Sequence, residues 1–189
     1  MLDYLINLDK QLLLFLNGLH SPFFDWVMFW ISYKFTSVPL YAVVVYFFFK
    51  KFGRTGWIIL VMTILTVTLS DQISVHLFKN VFERLRPTHT LGLEQLIHLV
   101  RDQRGGMYGF VSSHAANTFS FAMFSLLVFR TRWYTIAILC WALVVSYTRI
   151  YMGLHFPGDI LGGAIVGSLI GLSVYTVMRK LPCYETCPT

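Results

Sequence analysis

The sequence predicts an all-α protein, a polytopic membrane helical bundle of about five to six spans with an amphipathic N-terminal helix. Hydrophobic residues make up 56% of the 189 residues, charged residues only 13%, and the mean hydropathy is +0.63. Soluble domains contain about 25% charged residues. The apolar residues fall in runs long enough to cross a bilayer, and short basic segments separate these runs. The length fits a single membrane-embedded domain over residues 1–189.

The first 20 residues are predicted to form an amphipathic helix and not a signal peptide. Asp3, Asp9 and Lys10 interrupt the apolar core that a signal peptide needs. Leucines at three- and four-residue spacing form one apolar stripe, comprising Leu5, Leu8, Leu12, Leu16 and Leu19. We expect this helix to lie in the membrane interface, with Asn17 on its polar side; a membrane crossing is the alternative.

Five apolar runs follow and are predicted to span, covering residues 23–49, 55–78, 113–129, 133–150 and 158–178. Pro39 allows a kink in the first run. Lys34 in the same run either snorkels to the interface or marks where an interfacial piece ends and the true span begins. In the last run, glycines recur every four residues and give one smooth face on which another helix can pack closely, at Gly163, Gly167 and Gly171. Cys140 is expected to be a small core residue. Cys183 and Cys187 indicate neither a disulfide nor a metal site.

Short basic segments predict the orientation of the bundle. If these spans are correct, residues 50–54, 130–132 and 179–180 fall on one side, which the positive-inside rule places in the cytoplasm. The opposite, outer face nevertheless carries many cations, which suggests an anionic ligand: Lys79, Arg84, Arg86, Arg101, Arg104 and Arg149. Membrane topology and this ligand explain the net charge of +6, so nucleic-acid binding is not expected.

Residues 148–159 bring together three side chains suited to phosphoryl chemistry. The planar guanidinium of Arg149 can bind two phosphate oxygens at once. His155 can act as a nucleophile or proton carrier near neutral pH. Asp159 follows four residues later, within reach of the second ring nitrogen. The alternative is an interhelical loop whose charges only contact lipid headgroups.

Two further groups fit an anion site. Lys79 and Arg86 offer a point charge and a rigid fork for different oxygens of one phosphate, with general interfacial basicity as the alternative. Ser112 and Ser113 precede an apolar run and can cap a helix whose free N–H groups bind an anion. His114 then lies in the first turn, where it could protonate a leaving oxygen.

These residues resemble the three-part signature of the type 2 phosphatidic acid phosphatase superfamily, which also occurs in vanadium haloperoxidases. Order and spacing agree in Lys79-x6-Arg86-Pro87, Ser112-x-His114 and Arg149-x5-His155-x3-Asp159. The chain departs from the usual pattern at three positions: Val111 replaces a proline, Ser113 a glycine, and Thr148 a serine.

The resemblance implies a membrane phosphatase in which His155 forms a phosphohistidine, Asp159 holds His155, and His114 protonates the leaving group. The phosphoryl oxygens would be bound by Lys79, Arg86, Arg149, Ser112 and Ser113. Similar proteins act on undecaprenyl diphosphate, phosphatidic acid, phosphatidylglycerophosphate or lipid A phosphates. No metal and no other cofactor are expected, because no carboxylate cluster accompanies the histidines. The alternative is a non-catalytic anion or lipid carrier on the same scaffold.

The expected partners are the bilayer and an amphiphilic phosphate, and the expected location is the cytoplasmic membrane with the site facing outward. Arg84 would be a spare headgroup contact. Asp71, inside the second span, is predicted to make a structural polar contact. Arg101, Asp102 and Arg104 would form either a lid or an ordinary solvated loop.

Overall fold

The computed structural model describes residues 1–33 and 35–181, and throughout this part of the chain the regular secondary structure is helical. This confirms the all-α prediction. The longer helices are α1 (Leu2–Gly18), α2 (Pro22–Ser32), α3 (Val38–Phe52), α4 (Gly56–Ile73), α6 (Ser113–Phe129), α7 (Arg132–Tyr151) and α8 (Pro157–Arg179). A π-helical turn (Ser74–Lys79) and the short α5 (Asn80–Phe82) continue α4. Cys183 and Cys187 lie outside the described residues.

Three helical stretches are long and apolar enough to cross a membrane: Val38–Phe82, Arg132–Tyr151 and Pro157–Arg179. The first of them folds back on itself at Gly53, whose φ of 53° and ψ of −125° are not helical. Tyr41 and Asp71, on its two arms, line the same cavity, whereas a straight helix would hold them about 45 Å apart. Ser113–Phe129 is a shorter apolar helix. The chain is therefore a membrane protein with α3, α4, α6, α7 and α8 as the long elements of its bundle.

The prediction of a single span over residues 23–49 is wrong, because the helix is interrupted between Ser32 and Val38. The alternative, a separate piece that ends before the true span begins, agrees with this interruption. Lys34, the predicted boundary, lies outside the described residues. Pro39 is a first-turn residue of α3 and not a kink within a longer helix. Proline lacks an amide hydrogen and disfavours helical backbone in the residue before it, so it suits a helix start. Ser32 and Ser37 flank the interruption and line the cavity described below. The other four predicted spans agree with α4, α6, α7 and α8 to within a few residues.

The first helix, α1, lies across one end of the bundle. Asp9 accepts from Arg84 and from the amide of Gly158. Further along the same helix, Asn17 donates to the carbonyl of Tyr151 at 2.7 Å. The middle and the C-terminal end of α1 therefore contact the end of the bundle where α7 stops and α8 starts. The next helix, α2, leaves α1 at an angle of 113°.

The side of α1 that faces the protein carries Leu13 and Asn17, and most of the leucine stripe faces outward. Asn17 is 1% exposed, whereas Leu5 is 52% exposed and Leu12 is 43% exposed. In lipid the apolar side of a helix needs no protein cover, so polar side chains can take the contacts within the bundle. The same inversion applies to Cys140, which is exposed on α7, so its predicted core position is wrong.

The glycine face of α8 packs directly on the backbone of α6, as predicted. A Cβ at Gly163 would lie 2.6 Å from the carbonyl oxygen of Ser112, and Gly167 and Gly171 meet Ala116 and Ser120 just as closely. At the same end, the amide of Ser112 donates to the carbonyl of Asp159 at 3.0 Å. The starts of α6 and α8 are therefore held side by side.

The basic segments lie together at the opposite end of the bundle. Lys51 Nζ donates to the carbonyl of Phe129 at 2.9 Å, which joins the α3–α4 turn to the end of α6. Arg130 binds the hydroxyl of Tyr175, close to the end of α8. The three segments predicted to share a side therefore share an end of the structure.

Candidate active site

A cavity of about 440 Å³ opens at the end of the bundle away from the basic segments. Most of the predicted site residues line it, namely Lys79, Arg86, Ser113, His114, Arg149 and His155. Ser112 and Asp159 are both 0% exposed and lie behind this lining. The structure therefore brings together side chains from four separate segments of the chain.

Cations without an acidic partner dominate the lining. Arg86 and Arg149 are each only 8% exposed. Within the described residues, neither guanidinium nor the ammonium of Lys79 forms a salt bridge. A buried charge is costly unless an opposite charge or hydrogen bonds compensate it. The cavity is therefore electrostatically suited to a multiply charged anion.

Each of these cations is held by neutral groups that fix its position. Lys79 Nζ donates to Ser113 Oγ at 2.7 Å, and Arg86 Nε donates to the carbonyl of Tyr108 at 3.1 Å. Arg149 donates to the hydroxyl of Ser32. Its Nε is buried and has no hydrogen-bond partner among residues 1–33 and 35–181. Unused donors remain for a ligand.

The local backbone explains how Lys79 reaches the site. The π-helical turn Ser74–Lys79 changes the direction in which the end of α4 presents its side chains. Ser74 Oγ donates to Ser113 Oγ at 2.9 Å, and the same oxygen accepts from Lys79. The hydroxyl of Ser113, which replaces the glycine usual in the second motif, thus ties the end of α4 to the start of α6.

Ser112 is the N-cap of α6, as its position before an apolar run predicts. Its hydroxyl accepts from the amide of Ala115 at 3.5 Å. The first turn of α6 faces the cavity, because Ser113 and His114 both line it. His114 therefore borders the same space as His155 and can reach a group bound there.

A tight turn after α7 brings the backbone of His155 next to that of Arg149. The amide of Leu154 donates to the carbonyl of Arg149 at 2.9 Å, and Gly153 adopts φ 70°, a conformation that glycine tolerates best. His155 is 1% exposed. Its Nδ1 lies 3.4 Å from Asp159 Oδ2, which favours a proton on Nδ1 and leaves Nε2 as the free nucleophilic atom.

Burial, reinforced by the nearby positive charges of Arg86 and Arg149, holds the pKa of His155 well below its usual range. A hydrogen bond with the backbone of Gly109 acts in the opposite direction. His155 is therefore neutral at pH 7, as a nitrogen nucleophile must be. Burial also lowers the pKa of Arg86, while Asp159 opposes this shift.

Asp159 is held by more groups than His155 alone. Its Oδ2 accepts from the amide of Phe156 at 3.0 Å, and its Oδ1 accepts from Arg84 Nη1 at 2.8 Å. Gly109 packs against the same carboxylate, since a Cβ there would lie 2.9 Å from Oδ2. Asp159 therefore has a fixed orientation toward His155.

Several contributors to this site were missed from the sequence. Arg84, interpreted as a spare headgroup contact, binds Asp159, so that interpretation is wrong. Ser32 and Gly109 carry no recognisable local signal. Asp71 does make the predicted polar contact, accepting from Asn117 Nδ2 at 3.1 Å, and both residues also line the cavity.

The loop before α6 contacts the second helix. The guanidinium of Arg101 lies 3.8 Å from the ring centroid of Phe29 on α2, a cation–π geometry. Thr88 Oγ1 donates to the carbonyl of Arg104 at 2.8 Å. Among the described residues, no group of three or more histidine, cysteine, aspartate or glutamate side chains is placed to hold a metal ion.

Comparison with known proteins found one matching family and several relatives. The PAP2 superfamily model matches residues 55–183. A lipid A 4'-phosphatase of Bacteroides thetaiotaomicron is 42% identical over 183 residues, covering 96% of this chain and 81% of that protein. A lipid A 4'-phosphatase of Porphyromonas gingivalis is 37% identical over 177 residues, covering 93% and 75%.

Among solved structures, a transmembrane PAP2-type phosphatidylglycerolphosphate phosphatase from Bacillus subtilis has the same fold. It superposes with a TM-score of 0.71 at 21% identity, covering 94% of this chain and 88% of that one. The family match covers more than half of the chain, and it includes every residue of the three motifs. This chain belongs to the PAP2 superfamily.

Proposed function

We propose that the protein is a membrane lipid phosphatase that hydrolyses a lipid A phosphate through a phosphohistidine on His155. The observation that carries this proposal is that Lys79, Arg86 and Arg149 meet a neutral histidine in one cavity, and none of these cations has an acidic partner among the described residues. The substrate class is supported by the two relatives described as lipid A 4'-phosphatases, at 42% and 37% identity.

The reaction follows from the positions of the side chains. The substrate phosphate occupies the cationic cavity, and Nε2 of His155 attacks phosphorus in line with the ester oxygen that leaves. As the N–P bond forms and the P–O bond breaks, His114 donates a proton to the leaving oxygen. Water then attacks the phosphohistidine, His114 takes up a proton, and inorganic phosphate and free His155 result.

The three cations act on the charge of the transition state. The equatorial phosphoryl oxygens carry that charge, and preorganised donors stabilise it without reorganisation. Arg149 contributes most to preorganisation in this scheme, because its buried Nε has no other partner among the described residues. Asp159 stabilises the positive imidazole that forms when Nε2 binds phosphorus.

A non-catalytic carrier is the competing function. A carrier needs the cations but has no use for a histidine whose free ring nitrogen faces them. The contact between Asp159 and His155, with both side chains at most 1% exposed, favours catalysis.

Phosphate release from purified enzyme tests the proposal. The substrates are a lipid A bearing a 4'-phosphate, phosphatidic acid, phosphatidylglycerophosphate and undecaprenyl diphosphate, each in the same detergent. We expect the lipid A phosphate to have the highest kcat/KM. Faster hydrolysis of another lipid would identify that lipid, and not lipid A, as the preferred substrate. Phosphate release from none of the four lipids would favour the carrier function.

We expect catalysis without a divalent cation, because Lys79, Arg86 and Arg149 supply the charge that Mg²⁺ supplies in other phosphoryl-transfer enzymes. Phosphate release should be unchanged after dialysis against EDTA, and vanadate should inhibit, since it adopts the five-coordinate geometry of the transition state. Activity that disappears in EDTA and returns with Mg²⁺ or Zn²⁺ would contradict this prediction.

We further propose that the enzyme is in the cytoplasmic membrane with its site facing outward. The support is the common end of the basic segments 50–54, 130–132 and 179–180, which the positive-inside rule assigns to the cytoplasm. In a background lacking native cysteines, Leu91→Cys should react with an impermeant maleimide on intact cells, because Leu91 is 92% exposed at the site end. Thr131→Cys should react only after lysis. The opposite labelling pattern would place the site in the cytoplasm.

A further inference from the structure

A carboxylate of the first helix reaches the back of the catalytic cluster. Asp9 Oδ2 accepts from Arg84 Nη2 at 2.6 Å, and Asp9 Oδ1 accepts from the amide of Gly158 at 2.7 Å. The Asp9 side chain is 15% exposed, and that of Arg84 is 29% exposed. None of the three sequence motifs includes Asp9, which precedes Lys79 by a long stretch of chain.

The second half of the same guanidinium binds the carboxylate that orients the nucleophile. Arg84 Nη1 donates to Asp159 Oδ1 at 2.8 Å, while Asp159 Oδ2 faces His155 Nδ1. The Arg84 guanidinium also lies 4.3 Å from the ring centroid of Phe156, which restricts its movement. A continuous series of polar contacts thus runs from Asp9 through Arg84 and Asp159 to His155.

We propose that Asp9 is a positioning residue for phosphoryl transfer, acting through Arg84 on Asp159. This inference rests on the proposed phosphatase function. Arg84 shares its positive charge between two carboxylates. Without Asp9 that charge would act on Asp159 alone and would weaken the attraction between Asp159 and the positive imidazole of the transition state.

Asp9 also fixes the position of Asp159 through the backbone. Its contact with the amide of Gly158 lies in the first turn of α8, directly before Asp159. The approach is close, since a Cβ at Gly158 would lie 2.8 Å from Asp9 Oδ2. On this account α1 is part of the catalytic apparatus and does more than contact the membrane.

The variant Asp9→Asn removes the negative charge but keeps the shape of the side chain, and the amide oxygen of asparagine can still accept from Gly158. We expect kcat on a lipid A 4'-phosphate to fall about ten- to a hundredfold, the value of a hydrogen bond to a charged group, with KM changing less than about twofold. The matched control is Asp3→Asn, which removes the same charge from an exposed position of α1 and should leave both constants unchanged.

A double-mutant cycle distinguishes positioning from general stabilisation. If Asp9 acts through Arg84, Asp9→Asn should cost little further activity in an Arg84→Gln background. Asp9→Glu keeps the charge and should recover part of the kcat that asparagine loses. Thermal unfolding in detergent shows which variants are folded, and if Asp9→Asn is not, the cycle is run with Asp9→Glu.

The inference is overturned if folded Asp9→Asn turns over as fast as Asp3→Asn, or if only its KM changes. It is also overturned if the losses of activity from the Asp9 and Arg84 substitutions are additive, or if Asp9→Glu has no higher kcat than Asp9→Asn. Failure of the proposed function has a different signature. In that case the wild-type enzyme itself releases no phosphate from lipid substrates.

Discussion

Replacing His155 by alanine is expected to lower kcat by roughly 10⁵-fold or more, which is the scale of losing a covalent nucleophile. Of the described residues that line the cavity, no other has a free ring nitrogen while its second nitrogen faces a buried carboxylate. The fold should survive, because the change adds space next to an existing cavity and Asp159 keeps Arg84 and the amide of Phe156 as partners. Phosphate release and thermal unfolding of the purified variant measure the two effects.

The control for this variant is His76→Ala. His76 is exposed on the π-helical turn near the site, so its removal changes the histidine count without touching the cavity. It should behave as wild type. A folded His155→Ala enzyme with wild-type turnover would show that His155 is not the nucleophile.

Replacing Asp159 by asparagine is expected to lower kcat by about 10³- to 10⁴-fold, by analogy with the aspartate of serine-protease triads. The amide would either present an N–H₂ group to His155 or turn that group toward Arg84, which also only donates. In both orientations the imidazole loses the negative charge that stabilises its positive form. The variant should bind vanadate, because the cavity cations remain.

The matched control is Asp102→Asn, a change of the same kind in an exposed loop, for which we expect wild-type turnover. Loss of vanadate binding by Asp159→Asn would indicate a collapsed cavity instead of a misdirected imidazole. Turnover within a few-fold of wild type would mean that Asp159 does not orient His155.

The sequence predicted the parts of the fold that depend on local pattern. Apolar runs located α4, α6, α7 and α8, since a span needs about 20 apolar residues in succession. The four-residue spacing of Gly163, Gly167 and Gly171 predicted the close approach of another helix, although only the structure identifies it as α6. The interruption of the first run was indicated only by the charge of Lys34, because residues 33–37 include no proline and no glycine.

Which side of a helix faces the bundle was less predictable. In water the apolar side is buried, but in a bilayer an apolar side can face lipid. Most of the leucine stripe of α1 and Cys140 on α7 are therefore exposed, while Asn17 is buried. A residue's polarity alone does not assign its direction in such a protein.

The candidate site was predictable where its residues form short motifs, because spacing along the chain then reports on geometry. Asp159, in the first turn of α8, follows His155 by four residues, so their contact is local in the sequence. Arg84 lies 75 residues from each of its two carboxylate partners. Contacts over such distances depend on how the helices pack, which no local pattern in this sequence encodes.

The central claim is a covalent phosphoryl group on His155, and trapping that group tests it most directly. Enzyme mixed with a ³²P-labelled lipid A 4'-phosphate, quenched in alkali within one turnover and digested, should yield one labelled peptide containing His155. The label should be lost in acid, as expected for an N–P bond, and should be absent in His155→Ala. Label on another residue, or turnover by direct attack of water with no labelled protein at any time, would contradict the account.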